Sequence, residues 1–227
     1  MLRAPPSLPP RLEAHAGGTI IGGMDAAEIR YCYLGAARAF LDLVEHVPEA
    51  AWTRPALGEW DVRALTGHTS RALSTVETYL STPASGDRLD GPVAYFLAIR
   101  GGVPPEAIAA RGREAGEALG HDPAAAVSKL VDRVTELVAK TPDDAPVATA
   151  AGAMTLIDYL PTRSFELAVH GLDLARAIGL PPPDTLSPAI AASLELAGAI
   201  GARLPSAPDL LLLLTGRSGL PGNLSVV

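Results

Sequence analysis

Four long stretches of this chain repeat apolar side chains every three to four residues, the period of a helix that buries one face. In 26–47 the series is Ile29, Tyr33, Ala36, Phe40, Leu43 and Val47. In 62–80 it is Val62, Leu65, Thr69, Ala72, Leu73, Val76 and Leu80, with Asp61 placed to cap the first turn. Residues 122–140 form a third stretch, with Pro123 in its first turn, where a missing N–H costs nothing. Residues 155–179 form a fourth, closed by Gly179 and the prolines that follow, with Pro161 as a point of bending. No family of segments alternates with period two, so a multi-stranded sheet is not expected. The reading is an all-α fold: a four-helix bundle with short additional helices.

The remainder is less regular. Residues 187–204 read as a further helix, and 208–217 as a short one whose leucine run would also suit a strand. Residues 93–120 are ambiguous: VAYFLAIR would suit a short helix, and PPEAIAARGREAGEAL a second one beginning at a proline. Segments 48–60 and 81–92 are connections, and TPDDAPVATAAGAM is extended or looped with room for one short strand. Residues 1–23, rich in Pro and Gly, read as a disordered extension, with Met24 as an alternative start. The bundle then occupies 24–204, and 205–227 is a short C-terminal tail.

Composition narrows the function classes. With 48% hydrophobic and 19% charged residues, the chain can build a sizeable core. A net charge of −7 argues against nucleic acid or an anionic membrane as partner, and no apolar run approaches the ~20 residues of a membrane span. Cys32 is the single cysteine, so there is no disulfide framework and a reducing, cytoplasmic setting is expected. That thiol is either a buried helix residue or a nucleophile. Lys129 and Lys140 are the only lysines, so nearly all positive charge is arginine, which suits carboxylate ligands.

The fourth stretch carries the chemistry. RSFELAVHGLD sets Arg163, Glu166, His170 and Asp173 at spacings of three and four. At roughly 100° per residue, Arg163 and His170 fall about 20° apart and Glu166 about 40° further round. Leu156, Leu160, Leu167, Leu174 and Ile178 lie on one side of this stripe. Phe165, Ala168, Val169, Leu172 and Ala175 lie on the other. A helix apolar on both sides is buried, and an unpaired charge on it is expensive.

Glu166 and His170 are either an ordinary i, i+4 pair or two ligands of one ion. The same spacing recurs as Glu117 and His121, and Asp42 with His46 is a close relative, both at helix ends beside Gly, Asp or Pro, where solvated surface is expected. A catalytic metal site needs a third protein ligand and an open position. His68 faces the core side of the second stretch beside Gly67, and is either that ligand or a core histidine bonded to a carbonyl.

EWDVRALTGHTSRAL resembles the W-x-V-R-x-L-x-x-H segment of the mycothiol-dependent maleylpyruvate isomerase family, within the DinB-like metalloprotein superfamily. MTLIDYLPTRSFELAVHGLDLARAIGL is similar to that family's second signature, roughly L-P-T-R-x-x-E-x-x-x-H-x-x-D-L. The two motifs hold about 40 residues, and the likeness in helix order runs from about Met24 to Leu204. The resemblance implies a DinB-like four-helix bundle holding a divalent metal, usually zinc, through His68, Glu166 and His170. It also implies mycothiol, a low-molecular-weight thiol, as cosubstrate. LLLLLTGRSGLPGNLSVV is similar to the last stretch of the C-terminal domain of larger members, so 205–227 is expected to be at most a remnant of it.

Two imidazoles and one carboxylate leave Zn2+ a net positive charge and an open position, which acidifies a bound thiol of ordinary pKa ~8.5. Isomerisation of a small electrophile, or S-transfer to it, is then the expected activity. A metal-dependent hydrolase, or a non-catalytic sensor or interaction module, needs the same three residues. Arg163 either receives a substrate carboxylate or forms a structural salt bridge with Asp173 or a neighbouring helix. Asp173 reads as an acceptor for the second N–H of His170, although a bond within one helix turn is awkward. The quaternary state is expected to be monomer or homodimer.

Overall fold

The computed structural model describes residues 23–84, 86–102, 104–217, 219 and 225. The expected extension over 1–23 therefore lies outside the described residues except for Gly23, as does much of 218–227.

The four periodic stretches fold as helices α1 (Ala26–Glu45), α2 (Val62–Ser81), α5 (Pro123–Lys140) and α6 (Leu156–Ile178). Between them, the ambiguous region resolves into α3 (Gly91–Ile99) and α4 (Pro105–Ala118). Local chemistry sets the ends. Asp25 and Glu28 close α1 with a reciprocal capping box, their side chains bonding each other's backbone N–H at 2.9 and 2.8 Å. Asp61 accepts from Ala64 N at 2.8 Å to cap α2, and Asp122 from Ala125 N at 2.9 Å to cap α5. Gly179, at φ 74°, ends α6 in the left-handed conformation that glycine adopts without steric cost. Pro161 sits inside an unbroken α6.

α1 packs against α5 and α6, and α2 packs against the same two from the opposite side, which is the ring of a four-helix bundle. Its centre holds Tyr33, Phe40, Leu65, Leu73, Val134 and Leu167, all at 0% exposure. α6 is also covered by α3 and by α7 (Ser187–Gly201), which explains why it is apolar on two sides. The buried arc is narrower than the apolar pattern, because Val169 is exposed at 37%. The leucine run expected as helix or strand is helix α8 (Ala207–Leu214), and it buries no residue.

Short strand pairs appear where connections were expected. β1 (Pro55–Leu57) pairs antiparallel with β2 (Trp60–Asp61) inside 48–60. In place of one short strand, Pro146–Thr149 and Gly152–Thr155 form the hairpin β3–β4, whose last residue caps α6. Among the described residues no helix is long and apolar enough to cross a membrane.

α4 lies unusually close to α2. A Cβ on Gly67 would fall inside the backbone of Ala115 and Gly116, and one on Gly116 would sit 2.7 Å from Arg63 O. Glycine at both positions lets the two backbones touch.

Candidate metal centre

His68 projects from the middle of α2, and Glu166 and His170 from successive turns of α6, its neighbour in the ring. The two imidazole centroids are 4.9 Å apart and nearly perpendicular, at 87°. His170 Nε2 stands 3.5 Å from Glu166 Oε2. One donor atom from each of the three residues lies within 4.8 Å of the other two. Tetrahedral bonds of ~2.0–2.1 Å put donors of one ion about 3.3–3.4 Å apart, so side-chain movements of up to roughly 1.5 Å would bring the three onto one ion.

The surroundings fit an ion. His68 Nδ1 is sealed from solvent and has no hydrogen-bond partner among the described residues, an unusual state for a buried polar atom. Burial pushes the His68 pKa down to about 4, and the nearby His170 adds to this, so the ring is a neutral donor. Burial opposes charge on Glu166 as well, but the hydrogen bond from His170 and the charge of Arg163 outweigh it and hold the carboxyl down at about 2. Burial also lowers His170, yet the Asp173 and Glu166 carboxylates raise it to about 9. The bond from His170 Nδ1 to Asp173 Oδ2, awkward on paper, is made at 3.2 Å within one turn of α6. It leaves Nε2 of His170 facing Glu166 and His68.

Arg163 makes no salt bridge with Asp173 among the described residues. It is 7% exposed, donates from Nη2 to the Tyr95 hydroxyl at 3.2 Å and from Nε to Thr162 Oγ1 at 3.0 Å. Its guanidinium carbon lies 4.8 Å from the Tyr159 ring centre and 5.5 Å from that of Tyr95, within cation–π range. The Arg163 pKa is raised, the tyrosines and Glu166 overcoming burial. Nη1 makes no hydrogen bond among the described residues, and Arg163 lines the adjoining cavity.

That cavity has a volume of about 400 Å³ and is lined by His68, Glu166, Arg163, Tyr95 and Tyr79. Arg71, Arg100 and Arg111 also line it, so Glu166 is its one acidic group against four arginines. Small-molecule sites commonly enclose about 300–1,000 Å³.

Residues 33–175 match the family model of the mycothiol maleylpyruvate isomerase N-terminal domain. The chain belongs to this family. The match runs from α1 to α6 and includes His68, Glu166, His170 and every residue that lines the cavity. No curated protein and no solved structure matches the chain.

The comparison histidines behave differently from the clustered pair. His46 is exposed, with Nδ1 on Asp42 O at 2.7 Å, and Glu117 and His121 are both exposed. Cys32 is buried on α1, and burial raises its thiol pKa. Trp60, whose ring lies 4.4 Å from His68, entered the sequence reading only as the first residue of the W-x-V-R motif, and the cavity residues Arg71, Tyr95 and Arg111 escaped it. Only Arg71 left a signal, being three residues beyond His68 on the same helix.

Proposed function

We propose that this chain is a metal-dependent, thiol-using enzyme acting on a small electrophile that carries a carboxylate. The observation that supports it is that His68, Glu166 and His170 bring their donor atoms together beside a cavity that His68 and Glu166 line together with Arg163. In this reading the three side chains hold one divalent ion, with zinc the best match to two imidazoles and a carboxylate. Such an ion supplies Lewis acidity, bringing a thiol of ordinary pKa ~8.5 to its anionic form at neutral pH. Family membership makes mycothiol the natural thiol.

The chain's own groups do the rest. Asp173 fixes the His170 ring by accepting from Nδ1, and Glu166 brings the negative charge that a cation needs. Arg163, held rigid by Tyr95, Tyr159 and Thr162, offers Nη1 to a carboxylate in the cavity. Arg71, Arg100 and Arg111 raise the local concentration of anions at the same place. Held there, an electrophile lies beside the position where the thiol is activated, so isomerisation or S-transfer is a matter of proximity.

Elemental analysis and a mycothiol titration on the purified chain test this reading. About one divalent ion per chain is expected, with thiol binding that requires it. His170→Ala should lose most of the metal, Glu166→Gln should be intermediate and His121→Ala should change nothing. Full occupancy in His170→Ala, or equal loss in His121→Ala, refutes the assignment.

A further inference from the structure

Histidines that ligate metals ordinarily donate their second N–H to a carboxylate or carbonyl, which fixes the ring. His170 has such an acceptor in Asp173 at 3.2 Å. His68 has none: neither of its nitrogens makes a hydrogen bond among the described residues, and Nδ1 is buried. Something else must hold the ring against rotation about its side-chain torsions.

The neighbour in place is Trp60. Its indole lies 4.4 Å from the His68 imidazole, centre to centre, at 32°, and meets His170 edge-on at 6.3 Å. The indole is itself locked. It is 8% exposed, and Nε1 donates to Ala109 O on α4 at 3.0 Å. Its ring rests on Gly112, where an added Cβ would come within 2.8 Å of three ring atoms. Gly112 is one turn before Gly116, so the glycine face that brings α4 onto α2 also makes the notch for the indole. The β1–β2 ladder pairs Leu57 with Trp60 and fixes the backbone from which the ring projects.

We propose that Trp60 is the positioning residue of the centre, holding the His68 imidazole by stacking in the orientation that faces Glu166 and His170, as Asp173 does for His170 by hydrogen bonding. This inference rests on the metal-holding role of His68 given above. It assigns Trp60 no contact with substrate. The planar face is what matters, so another aromatic ring should serve and an apolar side chain without one should not.

The test measures Co2+ affinity by competition with a chromophoric chelator, together with the visible spectrum of the Co2+-loaded chain. Trp60→Met fills the notch with an adaptable apolar chain but removes the face. It should bind Co2+ roughly 10–100-fold more weakly, the range seen when the support of a ligand is removed, and show altered Co2+ bands at saturation. Trp60→Phe should restore affinity to within about threefold and restore the spectrum, by the same stacking preference. Should Trp60→Met fail to fold, Gly112→Ala carries the test, because it keeps the indole but drives it off its seat; the same loss is expected. Wild-type affinity and spectrum in Trp60→Met or in Gly112→Ala overturn the proposal, as does failure of Trp60→Phe to rescue. A wild-type chain that binds no Co2+ defeats the metal reading itself and this inference with it, whereas binding that is indifferent to Trp60 defeats this inference alone.

Discussion

His170 and His68 are poised in opposite directions, and the difference is measurable. His170 is raised to about 9 in the folded chain, above the ~6.5 of an unfolded histidine, so its contribution to stability is complete below ~6.5 and disappears as pH rises through 9. His68 is lowered to about 4, so its contribution is present above ~6.5 and is lost as pH falls towards 4. The metal-free chain should therefore owe most to this pair near pH 6.5. Urea unfolding in the presence of chelator should show the alkaline loss, and His170→Asn should remove it. A divalent ion must expel the His170 proton, so apparent metal affinity should rise about tenfold per pH unit between roughly 7 and 9. Calorimetry in buffers of different ionisation enthalpy would register about one proton released per ion at pH 7.5. An affinity flat across that range would show that His170 is neutral before the ion arrives.

At the scale of helices, the contact between α2 and α4 is the most demanding. Gly67→Ala places a methyl group into the backbone of Ala115 and Gly116, and should cost about 1–3 kcal/mol or more in urea unfolding, as overpacking does. Metal affinity should fall with it, because His68 is the next residue along. The bundle helices were legible because their signals are local: apolar period, capping Asp61, Pro123 in a first turn, and the terminal Gly179. That Glu166 and His170 share a face followed from spacing alone, and the inward aim of His68 from the apolar residues around it. The β1–β2 ladder and the β3–β4 hairpin were not legible, since pairings of two to four residues are decided by what they dock on. Tyr95 and Arg111 reach the cavity from α3, which packs on α6 and α7, and from α4, which packs on α2 and Trp60 through Gly116 and Gly112, so both placements depend on long-range packing. The stack of Trp60 on His68 needs both the ladder and that packing, so no local pattern announces it.

For the molecule as a whole, the Asp25–Glu28 capping box makes the start of α1 self-sufficient. A chain beginning at Met24 should accordingly unfold at the same urea concentration and take up as much metal as the full chain; a clear loss of stability would show that the preceding residues dock on the body. The position of the three donors has a wider effect. His68 and Glu166 are about a hundred residues apart in sequence, and α3, α4 and α5 all lie between them. An ion held by both closes that span into a ring, and clips that close long loops restrict the unfolded chain most. By mass action, free ion at a hundred times its Kd adds about 2.7 kcal/mol, equivalent to a rise of roughly 5–11 °C in Tm for a chain of this length. His170→Ala should show no such dependence on metal concentration. On the proposed metal reading, three helices that contribute no ligand are tied to the ion's chemical potential, and the availability of metal in the surroundings becomes a control on how far the whole bundle stays folded.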